Sequence, residues 1–398
     1  MSWSRFTFNL LSKKMNITDE RACMCALGKI LGFKPKTAQA ILKHLGSAST
    51  LFRMSRQEAD EFLGPFFKEK ELICTREYES AYKELTVLKD RGIIYACCNE
   101  DGYPPLLKEC EDAPIGLYIR SDTPAEELWQ QDRNIAIVGT RDISPYGKEW
   151  CERTVRSISD CGPESLIVSG LALGTDITAH KIALECGLPT IAVMATGPEA
   201  VYPYRHRSIA ERIATTSGSA LITDYPPGTA PLAIHFLRRN RIIAGISHST
   251  LLMESKIRGG GMMTARLAFS YDRDVFALPG RIDDIRSQGC NLLIKSKIAE
   301  PVTNMEELME GLGMKKDSGK GKTDLQDILT RLYGDGAIAA LTDIAETVKR
   351  NRGISIEEIA SACALPYFKV SEICRRLESD GILSIDLLQR CSINTKFV

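Results

Sequence analysis

The residues best placed to do chemistry are glycines and an arginine at the ends of short apolar runs. IAIVG ends on Gly139 and leads straight into Thr140 and Arg141, while LIVSG ends on Ser169-Gly170. TIAVMATG ends on Gly197, and TLLMES is followed by the run Gly259-Gly260-Gly261. Glycine lets a backbone approach a phosphate, and a helix that starts there aims unsatisfied N–H donors at it. Arg141, one residue past Thr140, stands where it would meet a phosphate directly. The stretch from Val201 to Gly245 adds six arginines, Arg205, Arg207, Arg212, Arg238, Arg239 and Arg241, against Glu211 and Asp224 alone. Tyr202, Tyr204, Tyr225 and Phe236 are interleaved with them. Cations that track phosphates, with aromatic rings on which bases stack, are what a single-stranded nucleic acid needs. Each feature also has a plainer reading. Glycines serve tight βα turns whatever binds there, and a basic helix face can be simply solvated.

Other chemistries fail on spacing. GTRDISPYG stands where a dinucleotide site would carry GxGxxG, and no GxxxxGK[ST] occurs, which argues against conventional NAD or ATP use. HExxH, GxSxG and carboxylate pairs at metal-binding spacing are absent, so neither a metal nor a cofactor is expected. His180 reads as a packing residue and Asp176 as a helix cap, whereas His206 and His235, near arginines, could contact phosphate. The thirteen cysteines are scattered and form no CxxC, which fits reduced buried thiols in a cytoplasmic protein better than a disulfide framework or a zinc site. No apolar run is long enough to span a bilayer, and the N-terminus lacks the pattern of a signal peptide. With 51 Lys+Arg against 51 Asp+Glu, nucleic-acid binding through bulk charge is excluded, although a local basic face is not.

The elements that must position these residues can be read from the pattern of apolar runs. Residues 15–90 read as short helices, with Gly32 and Gly46 at helix ends and Ser55 as an N-cap. Residues 91–312 begin with a connector carrying one or two strands. Six strand-like runs then alternate with helical stretches, which predicts a mostly parallel, doubly wound, Rossmann-like α/β sheet covered on both faces. Residues 313–324, rich in Gly, Lys and Ser, read as a linker. Residues 325–398 give helix, turn, helix and strand, a winged-helix-like pattern. In an open sheet of this kind a ligand lies outside the carboxyl ends of the strands.

The ordered series IAIVGTRDISPYG, IVSGLALGTDITAH, TIAVMATGPEAVYP, LITDYPPGTAP, FLRRNRIIAGIS, GGGMMTARLA, RDVFALPG and SQGCNLLI resembles the DprA/Smf family of bacterial DNA-processing proteins. The resemblance covers the whole middle region. It implies a non-catalytic protein that binds single-stranded DNA on its Rossmann-like domain, forms a homodimer through that domain and loads the RecA recombinase in natural transformation. It also implies a small helical domain of the SAM or helix-hairpin-helix kind before the sheet, and a winged-helix-like domain after it. Carried over by position, the family's G-[ST]-R arginine is Arg141, and its SGxAxGxD segment falls on Ser169, Gly170, Ala172, Gly174 and Asp176. The RNR helix gives Arg239, Asn240 and Arg241, and the SGSLxTA loop falls on Gly259–Ala265, including Thr264. Departures are local. Gly259 and Gly261 replace serines, Leu173 replaces a basic residue, and Arg205-His206 stand where Glu-Asn is usual. Phe236-Leu237 replaces Phe-Pro.

Two other function classes compete. A nucleoside-monophosphate phosphoribohydrolase would carry PGGxGTxxE, but the matching stretch here is RGGGMMTAR, with no acid near Arg266. A winged-helix regulator would want a basic recognition helix, yet Lys369, Arg375 and Arg376 are offset by Glu372, Glu378 and Asp380. The expected contacts are therefore phosphate to Arg141, Arg205, Arg207 and Arg238–Arg241, and phosphate oxygens to backbone N–H groups at Gly139, Ser169–Gly170 and Gly259–Gly261.

Overall fold

The computed structural model describes residues 17–314, 329, 333, 338–351, 353–386 and 389–393. Five helices come first: α1 (Glu20–Leu31), α2 (Pro35–Leu45), α3 (Ala48–Arg53), α4 (Arg56–Leu63) and α5 (Thr75–Lys89). Local sequence sets their ends. Asp19 caps α1 through the Ala22 N–H, and Ser55 and Glu58 form a capping box on α4. Gly46 closes α2 in the left-handed conformation at φ 76°, whereas Gly32 ends α1 with ordinary right-handed dihedrals. Their apolar faces share one core with Tyr95 and Tyr118, which lie on β1 (Ile93–Cys97) and β2 (Gly116–Arg120). Between these strands lies the single-turn helix α6 (Pro105–Lys108).

The central region alternates strictly. β3 (Arg133–Val138) leads to α7 (Pro145–Cys161), β4 (Ser165–Ser169) to α8 (Thr175–Glu185), and β5 (Thr190–Val193) to α9 (Arg207–Thr215). β6 (Ala220–Thr223) leads to α10 (Ala233–Gly245), β7 (Ser249–Leu252) to α11 (Gly260–Ser270), and β8 (Asp274–Ala277) to α12 (Gln288–Lys295). The short β9 (Glu300–Pro301) and α13 (Met305–Gly311) complete it. The nine-stranded sheet has the order β1-β2-β6-β5-β4-β3-β7-β8-β9. β3 to β9 are parallel to their neighbours, and β1 and β2 extend the sheet antiparallel from β6. The six expected strands are therefore all present in one α/β sheet of the Rossmann-like kind.

Alternation along each strand divides the core. On β3, Ala136 and Val138 join the cluster packed under α10, α11 and α12, while Ile135 and Ile137 join the one under α7, α8 and α13. Leu166 and Val168 against Ile167 repeat the pattern on β4. Each such buried Val, Leu or Ile side chain contributes about 1.5–3 kcal/mol relative to exposure. Helices on both faces are thus a consequence of strands that carry apolar residues on both of their faces. From β3 the chain runs outward through β4, β5 and β6, then returns to place β7 on the other side of β3. The strand order reverses between β3 and β7, and there the loops after these two strands diverge and leave a crevice.

The C-terminal region comprises α14 (Ile338–Arg350), β10 (Ile354–Ser355), α15 (Ile356–Ala362), α16 (Tyr367–Ser379), β11 (Leu383–Ile385) and β12 (Arg390–Ile393). Its strands form a separate antiparallel sheet in the order β10-β12-β11. Ser355 and Glu358 box the start of α15. The linker expected at 313–324 lies, from residue 315 onward, outside the described residues. No helix among the described residues is long and apolar enough to cross a membrane.

Candidate nucleic-acid interface

The crevice at the β3/β7 reversal is an open cleft of about 560 Å³. Its walls are the loop after β3, the loop after β7 with the start of α11, one face of α10, and Tyr202. Gly139, Thr140, Arg141, Tyr202, Phe236, Arg239, Asn240, Gly259, Gly260, Gly261 and Thr264 all line it. These eleven positions, all singled out from the sequence, therefore meet in one place.

The Arg141 loop is held from both sides. Thr140 N–H donates to the Glu254 carbonyl at 2.7 Å, and the Thr140 carbonyl accepts from Thr175 N–H at 3.2 Å and Thr175 Oγ1 at 3.3 Å. Gly174 lies against this turn at φ 73°, where a Cβ would run into the Thr140 and Arg141 backbone. Asp142 is tied to Arg286 at 2.8 Å, so the neighbouring acid is neutralised away from the cleft. Glu254 does not face the cleft as a free carboxylate. It accepts from Ser144 N–H at 2.8 Å and from Ser144 Oγ at 2.5 Å, and Ser144 in turn caps α7. Arg141 itself is exposed, with its guanidinium 4.9 Å from the centre of the Phe236 ring. Phe236 meets Tyr202 edge-on at 5.5 Å. One cation and two rings thus form a continuous partly exposed surface, a cation–π and aromatic arrangement suited to a phosphate and stacked bases.

The opposite wall supplies backbone. Gly260 is the first residue of α11, and a Cβ there would meet nothing within 4 Å. Gly261 packs so closely that a Cβ would lie 2.6 Å from Leu252 Cδ1. The glycine run therefore serves both readings made of it, access to the helix N-terminus at Gly260 and tight packing at Gly261. Asn240 Nδ2 donates to the Gly260 carbonyl at 3.3 Å and braces the helix start against α10.

Several expected contacts are instead spent inside the protein or lie outside the cleft. Arg239 is buried, and its Nη1 donates to the carbonyls of Gly170, at 2.6 Å, and Val193. It ties the ends of β4 and β5 together, and burial lowers its pKa to about 10, still charged at neutral pH. Arg241 is also buried, paired with Asp224 and donating to the Asp112 carbonyl at 2.7 Å. Arg238 leaves by the far side of α10, stacks 3.9 Å from the Phe33 ring centre and donates to the Gly32 carbonyl at 2.6 Å. Ser169 is fully buried and donates to the Ile137 carbonyl at 2.6 Å. Gly170 is buried beneath Arg239, where a Cβ would collide with the guanidinium. Arg205 and Arg207 are exposed but lie beyond Tyr202, outside the cleft.

Neither His206 nor His235 presents its ring as a phosphate ligand. Both are buried, and their Nδ1 atoms bind the carbonyls of Leu171 at 2.8 Å and Ala230 at 2.9 Å. Tyr225 is buried against His235. His180 packs as expected, with Nδ1 2.7 Å from Thr190 Oγ1 and burial lowering its pKa to about 3. Asp176 caps no helix end. It accepts from Ala172 N–H at 3.3 Å, folding back on the loop before α8, and burial raises its pKa against the opposing pull of Arg239.

Lys256 was missed from the sequence. It is exposed, lines the cleft beside Gly259, and makes no ion pair among the described residues. Its signal is the basic flank of SKIRGGG, which stands apart from the arginine-rich stretch 201–245.

The family described as DNA recombination-mediator protein A matches residues 94–313 of this chain. Protein Smf of Escherichia coli strain K12 is 39% identical over 210 residues, a match that spans 53% of this chain and 54% of that protein. Protein Smf of a Synechocystis strain is 28% identical over 389 residues, covering 92% of this chain and 96% of that one. The crystal structure of DNA processing protein A from Streptococcus pneumoniae, 29% identical, superposes with a TM-score of 0.63 over 74% of this chain and 98% of that chain. With more than half of its length in the match, and with the strand-end loops described above inside it, the chain belongs to the DNA recombination-mediator protein A family.

Proposed function

We propose that the cleft at the β3/β7 reversal holds single-stranded DNA, and that the protein is a cytoplasmic recombination mediator that protects the strand and passes it to RecA. The observation that carries this reading is the surface formed by Arg141, Phe236 and Tyr202, one exposed cation beside two rings, opposite an open helix N-terminus at Gly260. Arg141 and Lys256 would meet phosphates, the N–H groups at the start of α11 would donate to phosphate oxygens, and the rings would stack bases. A duplex keeps its bases paired and stacked, so these rings have no counterpart in it. The role asks for binding and release rather than bond breaking, which agrees with a cleft in which Glu254 is occupied in holding the start of α7 and Asp176 in bracing a loop. One cleft is small, and a homodimer through the sheet domain would present two to a single strand and gain by avidity.

Fluorescence anisotropy tests the reading. Labelled oligo-dT and a matched duplex are titrated with the full chain across a salt series. Preference for the single strand, with affinity falling as salt rises, is the expected result. Equal or tighter duplex binding would overturn it. A RecA strand-exchange assay on strands coated with single-strand-binding protein tests the hand-off, with stimulation expected and inhibition contradicting it.

A further inference from the structure

A second groove, of about 510 Å³, lies on the other side of the loop that carries Tyr202. Tyr202 lines the first cleft, whereas Val201 and Tyr204 line this groove, so the four residues Val201–Tyr204 form a ridge between the two. The far wall comes from the antiparallel edge of the sheet, with Arg91 just before β1 and Arg120 at the end of β2.

The groove is equipped for the same ligand. Tyr204 is 74% exposed, far more than a packing role requires, and Arg207 lies over its ring at 6.0 Å with Nη1 3.4 Å from the hydroxyl. The turn that displays Tyr204, Arg205 and Arg207 is anchored from below by the buried His206 bound to the Leu171 carbonyl. The acids at this wall are engaged. Glu211 is shared by Arg120 and Arg207, and Glu199 accepts from Gly228 N–H at 2.5 Å. Arg91 in the groove and Arg205 on the ridge side are exposed and make no ion pair among the described residues. An exposed ring in the same groove as the unpaired Arg91 and one residue from the unpaired Arg205, a single ridge away from a cleft of the same make, is complementary to a polyanion with free bases.

We propose that this groove is a second segment of the single-stranded DNA path. A strand leaving the first cleft over Tyr202 stacks a base on Tyr204, and its phosphates meet Arg205, Arg207 and Arg91. The inference rests on the proposed function of the first cleft and extends the path past the ridge.

The test compares oligo-dT of about 6 and about 20 nucleotides, lengths chosen to fill one cleft and to cross the ridge. Anisotropy is measured on the full wild-type chain and on Tyr204→Ala and Arg91→Glu, both changes at exposed side chains. The longer strand binds the wild type more tightly, and each variant is expected to lose about tenfold of that advantage while binding the short strand within about twofold of wild type. A variant that keeps the full advantage overturns the second segment, as does an equal loss at both lengths, which would place Tyr204 or Arg91 in service of the first cleft. Failure of the wild type to bind the short strand is a separate result. It overturns the reading of the first cleft and removes the basis for the second.

Discussion

The loop after β3 and the helix α10 both carry arginines next to aromatic residues, and the fold uses them in opposite ways. Arg141 stands on a turn held by Glu254, Thr175 and Gly174, which leaves its guanidinium in solvent over Phe236. Arg239 and Arg241, on a helix laid across the sheet, point inward and fasten strand ends and the β1–β2 connector. Identical side chains thus stand free at the cleft in one region and serve as internal struts in the other. The difference is one of position. A residue at a strand end projects into the crevice, whereas a helix packed on the sheet must turn part of its circumference toward it.

Substitutions should separate the two regions. Arg241→Met leaves Asp224 without its partner, and thermal unfolding should report a loss of about 3–5 kcal/mol, with oligonucleotide affinity of the remaining folded protein close to wild type. Arg141→Glu should do the reverse. Short-oligonucleotide affinity drops about 100-fold, equivalent to about 2.7 kcal/mol, while the unfolding free energy moves by less than about 0.5 kcal/mol. Were Arg141→Glu to unfold the protein, the division between ligand and strut would be wrong.

Acid should also discriminate. His180 is buried as the neutral form with its pKa lowered to about 3, whereas the unfolded chain takes up that proton near its ordinary value of 6.5. Stability from this residue is present above about pH 6.5 and is lost as the pH falls toward 3, amounting to about 2 kcal/mol between pH 7 and 5. Burial lowers the pKa of His206 and His248 in the same direction. Chemical denaturation across this range should show the loss, and His180→Gln should flatten the slope. The loss is one of stability, so protein that is still folded at about pH 5.5 should bind the oligonucleotide as it does at neutral pH. The smallest effect is expected at Phe236→Ala, which removes one stacking surface and should weaken single-strand binding about tenfold with little change at the duplex.

Much of this architecture was legible because the parallel strands are apolar on both faces and end on glycine, as in IAIVG and LIVSG. The Arg141 position was legible for the same reason, since the loop after such a strand must stand at the crevice. The direction of the RRNR arginines was not. Phe236, Asn240 and Ile243 share one helical face by their spacing of four and three, and Arg238 falls on the other side. That face looks into the cleft only because of how α10 packs on the sheet, which the sequence of α10 alone does not state. His206 and His235 misled for a related reason. Proximity to arginine in sequence says nothing about burial, and both rings are consumed by backbone carbonyls. Lys256 shows the complementary loss, a useful cation passed over because it stands apart from the arginine-rich stretch.

The most direct test of where the strand lies is photocrosslinking. A short oligonucleotide carrying 5-iodo-deoxyuridine is bound to the full chain, irradiated and mapped by mass spectrometry of the joined peptides. Crosslinks to Tyr202 and Phe236, lost when unlabelled oligo-dT competes, are what this account predicts. Crosslinks confined to α15, α16 or the small C-terminal sheet would contradict it.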